Sequence, residues 1–212
     1  MRREVAKALA FPGPGTYFRT VPKTRSAMFI QTEATPNPAT LKFLPGRDVL
    51  VGEPRDFRDV NAAGASPLAA LLFEVPGVTG VFLGSDFISV TKDTTEWAHI
   101  KPMILGAIMD HFLSGRPILS DAGAEVVADE EFFDETDTET VEVIKELIAT
   151  RVRPAVAMDG GDITFKGFRD GTVFLHMQGA CSGCPSSTAT LKSGIENLLR
   201  HFVPGVEAVQ QV

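Results

Sequence analysis

At 212 residues, with 44% apolar residues and a formal charge of −7, the chain has room for one large domain or two small ones, each with a packed core. The acidic balance and the lack of a basic stripe with interleaved aromatics speak against nucleic-acid binding, and no run nears the roughly 18 uninterrupted apolar residues of a membrane span. Two cysteines make no disulfide framework, and a close pair in an otherwise cysteine-free chain suits a reducing compartment.

Residues 1–27 carry Arg2, Arg3, Lys7, Arg19, Lys23 and Arg25 against the single acid Glu4. That composition resembles an organelle transit peptide, but Pro12-Gly13-Pro14-Gly15 fits an amphipathic targeting helix badly. The segment reads as a disordered leader or as a mis-assigned start ahead of Met28. The Pro-Gly content favours a bacterial cytoplasmic setting, with the mitochondrial matrix as the alternative if the leader is a transit peptide.

From Met28 onward the pattern is that of a folded domain, expected over 28–118. Residues 29–33 read as a strand, Thr35-Pro36-Asn37-Pro38 as a turn, and 40–44 as a half-buried strand stopped by Pro45-Gly46. Ser66-Pro67 ahead of Leu68, Leu71 and Leu72 marks a capped helix that Pro76-Gly77 ends. Residues 78–83 and 87–91 make a hairpin around Gly84-Ser85-Asp86. Trp97, Ile100, Ile104, Ile108, His111 and Phe112 fall at helical spacing before Gly115.

The acidity is concentrated. Between Asp121 and Asp137 stand eight acids and no Lys or Arg, and without them the charge of −7 would be +1. An acidic linker is expected over 119–137.

The second domain is expected over 138–212. Val141, Ile144, Leu147, Ile148 and Val152 mark a helix that Pro154 terminates, and Asp159-Gly160-Gly161 is a turn. Two alternating runs, 162–168 and 173–177, pair as a hairpin across Arg169-Asp170-Gly171. Leu191, Ile195, Leu198, Leu199 and Phe202 mark a further helix, and 206–212 returns as a strand. The fold class is therefore α+β: two small α+β domains, the second in helix-strand-strand-helix-strand order.

Both cysteines sit in Gly179-Ala180-Cys181-Ser182-Gly183-Cys184-Pro185-Ser186-Ser187, a loop leading into that helix. Pro185 suits the first helical position. Cys184 then lies at or beside the helix N-cap and Cys181 just above it, where unpaired amides lower thiol pKa and favour anionic sulfur. Gly179 and Gly183 allow close backbone approach. A CxxC pair alone serves zinc sites, redox dithiols and cluster ligands alike. Zinc needs two more ligands, and His99, His111, His176 and His201 do not supply them locally. A thioredoxin-like dithiol would follow a strand in a βαβ unit, usually with an aromatic before the first Cys, where this chain has Ala180. Two such loops, one from each of two chains, would present the four thiolates an iron-sulfur cluster takes.

Met158-Asp159-Gly160-Gly161-Asp162, the hairpin and the cysteine loop closely resemble the C-terminal domain of the NifU-like, or Nfu, iron-sulfur proteins. Phe29-Ile30-Gln31-Thr32-Glu33, Thr35-Pro36-Asn37-Pro38 and Leu41-Lys42-Phe43 are similar to the Nfu N-terminal domain. The resemblance implies an iron-sulfur cluster scaffold or carrier, not an enzyme. It implies a [4Fe-4S] cluster held between two protomers of a homodimer by Cys181 and Cys184, taken from an upstream assembly scaffold. The cluster would then pass to apo iron-sulfur client proteins by ligand exchange, with the N-terminal domain recognising clients or donors.

Overall fold

The computed structural model describes residues 29–120, 131–182 and 185–212, with side chains from 188 onward in the last of these. Expectations that fall on 1–28 and on 121–130 lie outside the described residues.

The first half builds β1 (Gln31–Ala34), β2 (Thr40–Leu44), β3 (Arg55–Phe57), α1 (Pro67–Phe73), β4 (Val78–Leu83), β5 (Ile88–Lys92) and α2 (Trp97–Ser114). Its strands form one five-stranded sheet in the order β1-β2-β5-β4-β3, antiparallel at every pairing. Strand side chains alternate between faces, so Phe43, Val81, Leu83, Ile88 and Val90 meet Leu68, Leu72, Ile100, Ile104 and Ile108 of the two helices in a sealed core. Ser66 caps α1 as expected, its Oγ accepting from the Ala69 N–H at 3.1 Å. Gly115 closes α2 in the left-handed region at φ 68°.

The alternation puts a second row on the opposite face. Glu33, Lys42, Ser89, Phe82 and Asp56 stand opposite one another across all five strands. The core of this half lies on the other side of the sheet.

The second half builds α3 (Thr138–Leu147), a π-type turn (Ile148–Val152), α4 (Arg153–Met158), β6 (Gly161–Arg169), β7 (Thr172–Gly179), a short 3-10 turn (Ala180–Ser182), α5 (Pro185–Phe202) and β8 (Ala208–Gln211). The sheet order is β6-β7-β8, with β6 and β7 antiparallel and β8 parallel to β7 after its crossover through α5. Asp170 and Gly171, both at positive φ (49° and 71°), make the two-residue hairpin turn. Val141, Ile144, Val156, Ile163, Leu175, Met177, Ile195 and Leu199 form the core. The α+β class and the helix-strand-strand-helix-strand order are as read from the sequence.

Three local readings change. Pro154 does not end a helix; it stands in the first turn of α4, where a missing N–H breaks no helical bond, and the π-type turn before it takes up the offset. The short strand β3 carries no alternating run long enough to be read from sequence; pairing with β4 creates it. The end of the acid-rich stretch packs on the second half. Phe132 bridges Gly167, its N–H bonding to the Lys166 carbonyl at 3.1 Å, and its ring lies 5.1 Å from that of Phe174. Glu131 pairs with Lys145. Charge repulsion along this stretch is thus offset locally by aromatic packing and a cation from α3. At its other end, the Ser66 hydroxyl donates to the Ile118 carbonyl at 2.6 Å, tying 118–120 to the first half. Among the described residues, no helix is long and apolar enough to cross a membrane.

Candidate functional site: the cysteine loop and its floor

The loop leaves the open end of the hairpin. Gly161 pairs with Gly179 and Asp162 with Gln178, so the strands close under the loop. The chain turns through Ala180–Ser182 and enters α5 at Pro185, the helical position expected for that proline. The Ala180 N–H bonds to the Gly160 carbonyl at 3.1 Å, Ser182 Oγ donates to the Gly179 carbonyl at 2.9 Å, and Thr188 Oγ1 donates to the Cys181 carbonyl at 3.0 Å. The backbone around Cys181 is therefore held from the turn before β6, from the end of β7 and from the first turns of α5.

Cys181 is a free thiol with 7% of its surface exposed, and it packs with the hydrophobic core of the second half. Its sulfur lies against Gly161: a Cβ at that position would come within 2.8 Å of Sγ and 2.5 Å of the Gln178 carbonyl. Only a glycine fits there. Gly160, at φ +84°, and Gly179, at φ +63°, complete a floor with positive backbone angles that other residues rarely adopt.

The electrostatics of Cys181 reverse one expectation. Burial pushes the thiol up to about 12, and the carboxylates of Asp159 and Asp162 push in the same direction. The helix-end argument expected a lowered pKa; for Cys181, removal from water and two nearby carboxylates outweigh it. Cys184, Gly183 and the side chains of Ser186 and Ser187 lie outside the described residues.

Asp162 is itself buried and takes both arms of Arg153, Nε at 2.9 Å and a terminal nitrogen at 2.8 Å. Hydrogen bonding and charge from Asp162 raise the Arg153 pKa further, and Glu53 of the first half lies 3.6 Å from the same guanidinium. Arg153 comes from α4 and Asp162 from β6, so the pair fastens the helix end to the hairpin next to Gly160 and Gly161.

The four histidines lie on α2 (His99 and His111), β7 (His176) and α5 (His201). His111 is fully buried in α2, neither ring nitrogen having a protein partner among the described residues. His176, on β7, meets Arg58 and Gln178. His201 stacks edge-on against Phe202 in α5. Among the described residues, no group of three or more His, Cys, Asp or Glu converges as a metal cage.

By sequence alone Asp159-Gly160-Gly161 is a turn. The signal was present in the double glycine between two aspartates of Asp159-Gly160-Gly161-Asp162. What it lacked was the partner that requires the glycines, a sulfur some 20 residues further along the chain.

Fold and loop together define a two-domain α+β protein whose two cysteines stand between a hairpin end and a helix start. Residues 30–115 match the family model described as "Scaffold protein Nfu/NifU N terminal", and residues 144–210 match the "NifU-like domain". The chain belongs to the Nfu/NifU family. Over 190 residues, 89% of this chain, it is 55% identical to the Drosophila sechellia protein named "NFU1 iron-sulfur cluster scaffold homolog, mitochondrial", and it spans 66% of that protein's length. The Drosophila virilis protein of the same name is 53% identical over 191 residues, with 63% of its length covered. Among solved structures, a solution structure of a NifU-like protein from Saccharomyces cerevisiae matches 44% of this chain and 86% of that one, at 29% identity and a TM-score of 0.41.

These relatives overturn the expected bacterial cytoplasmic setting, since they are named as mitochondrial. The basic, acid-poor composition of 1–27 is the kind a targeting presequence is read by, and it outweighs one Pro-Gly interruption.

Proposed function

We propose that this protein is a carrier of iron-sulfur clusters, working as a homodimer in a mitochondrial setting. Cys181 and Cys184 of each protomer hold a [4Fe-4S] cluster between two chains, and the cluster is cargo that leaves for an apo-protein. The observation that carries this reading is the pairing of the two family matches with a chain whose only two cysteines form one CxxC loop. Two thiolates are half of the four that such a cluster takes, so a second copy completes the set. The working units are 28–118, an acidic linker over 119–137, and the cysteine-bearing 138–212. The first unit recognises clients or an upstream assembly scaffold.

The chemistry is exchange of ligands, not catalysis on a substrate. A buried, protonated Cys181 must lose its proton to solvent as iron binds, because only the thiolate is a ligand. A client's thiolates reverse that step, and Cys181 recovers its proton and its packing. Return of the sulfur to an apolar site therefore favours release. The relatives' printed names, as scaffolds, support a reading without enzymatic turnover.

Anaerobic purification with assay of iron, acid-labile sulfide and oligomeric state tests the proposal. Cluster retention and cluster-linked dimerisation are expected in the parent chain and absent from Cys181→Ala and Cys184→Ala. Zinc in place of iron and sulfide, or a fully loaded strict monomer, would overturn it.

A further inference from the structure

The outer face of the five-stranded sheet is made to be covered. In an antiparallel sheet with helices on one side, the other face ordinarily meets water and turns polar. Here Phe82 is 2% exposed and Phe87 3%, and neither belongs to the hydrophobic core of its own half. Lys42 and Ser89 are buried in the same row, as is Asn37 in the turn before β2.

What covers them is the floor of the cysteine loop. Lys42 Nζ donates to the carbonyls of Ala157 at 2.9 Å and Met158 at 3.2 Å. Ser89 Oγ donates to the Gly160 carbonyl at 2.6 Å, and Asn37 Nδ2 reaches the Ala180 carbonyl at 3.5 Å. Arg58, paired with Asp56 at 2.8 Å, donates to the Met177 carbonyl at 3.1 Å. In these contacts the donors come from the first half and the acceptors are backbone carbonyls within 157–160 and 177–180, while Arg153 and Glu53 cross the same boundary with the opposite polarity.

The floor glycines are matched to this contact. A Cβ on Gly160 would stand 2.8 Å from Ser89 Oγ, and one on Gly179 would stand 2.9 Å from Phe82 Cγ. Smoothness of the floor thus serves the sheet above it as well as the sulfur beside it.

We propose that the outer face of this sheet is an intramolecular cover for Cys181 and the glycine floor beside it. It is seated while the chain carries no cluster, and it leaves before the loop of a second copy can come opposite. The inference rests on the cluster-bridged pairing proposed above. Two loops sharing one cluster approach to within the width of that cluster. A domain hydrogen-bonded to the carbonyls of Ala180, next to Cys181, and Gly160, next to Gly161, stands in that approach. The contact suits release: side-chain donors and carbonyl acceptors both regain water on opening, so the net cost per bond is small, and Phe82 and Phe87 are its large apolar side chains on the sheet.

The test uses the full chain, cluster-free, with Cys184→Ser so that iodoacetamide reads Cys181 alone. Ser89→Trp wedges the contact from the sheet face away from the core, and Lys42→Glu sets a carboxylate against the Ala157 and Met158 carbonyls. Each variant, with its fold verified by circular dichroism, is expected to label about tenfold faster at fixed pH, the factor that one net hydrogen bond of closure represents. Each should also show a larger maximum dimension in small-angle X-ray scattering. Folded variants with the parent's labelling rate and dimension would overturn the cover. So would a cluster-loaded dimer of the parent chain whose protomers keep the closed interdomain distance by energy transfer. Faster labelling in these variants, beside a parent chain with both cysteines that binds neither iron nor sulfide, upholds the cover and removes the carrier reading.

Discussion

The two sheets place their chemistry on opposite sides of the core boundary. In the first half, the core from Phe43 to Ile108 closes on itself, and the groups that reach the other half (Lys42, Phe82, Ser89) lie on the far face of the sheet. In the second half, Cys181 is part of the core, packed with Ile163, Met177 and Leu199. Surface changes in the first half can therefore alter contact without altering fold. In the second half, the state of the thiol and the packing of the domain are one variable. In the carrier reading proposed above, Cys181 would leave this packing to hold iron and regain it on release, which suits a temporary hold on cargo.

Core truncations challenge that contrast with the largest effect. Leu175→Ala should cost about 2–5 kcal/mol and raise hydrogen exchange in the cysteine loop. Ile104→Ala should cost a similar amount in the first half while leaving exchange around Ile163 and Leu199 near the parent level; peptide-resolved mass spectrometry reads both. If Ile104→Ala loosens the cysteine domain equally, the two cores are not independent.

Next comes the fastening beside the floor. Arg153→Met removes the bidentate partner of the buried Asp162 carboxylate. Losing one partner of a fully buried pair costs about 3–5 kcal/mol, and partial exposure of Arg153 brings the expectation to about 2 kcal/mol, measured by chemical denaturation. Ser66→Ala, which removes the cap of α1 and the bond to the Ile118 carbonyl, should cost about 1 kcal/mol on the same scale.

The smallest effect sharpens the comparison through pH. Burial lowers the His111 pKa, and the charge of Arg116 lowers it further. A folded pKa below the unfolded value of about 6.5 means that the unfolded chain binds the proton first. The contribution of neutral His111 is thus present above that value and lost as pH falls through the lowered one. Denaturation midpoints should drop on acidification more in the parent than in His111→Phe, with the difference confined to the first half.

Much of the site was legible because it is local. The CxxC spacing, Pro185 at the helix start and the turn glycines depend on neighbours in the chain, and a nine-residue window holds them all. The Cys181 environment was not legible. Its sulfur is buried against Gly161, across the hairpin, and a helix-end argument built on the loop alone gave the wrong sign for its pKa. Pro154 misled for a related reason: proline forbids a helix interior and permits a helix start, and only the π-type turn before it decides between the two.

Alternation and helical periodicity determined the two α+β units, since burying one face of each element is a constraint written residue by residue. Composition marked the acidic stretch, and spacing marked the thiol pair. The tertiary structure alone decided that Phe132 and Glu131 pack back onto the second half, and that Lys42 and Ser89 face carbonyls from a distant segment. It also decided that Cys181 lies inside a core. These depend on pairs far apart in sequence, and a polar or apolar side chain on a strand declares which face it occupies, never what will stand against it.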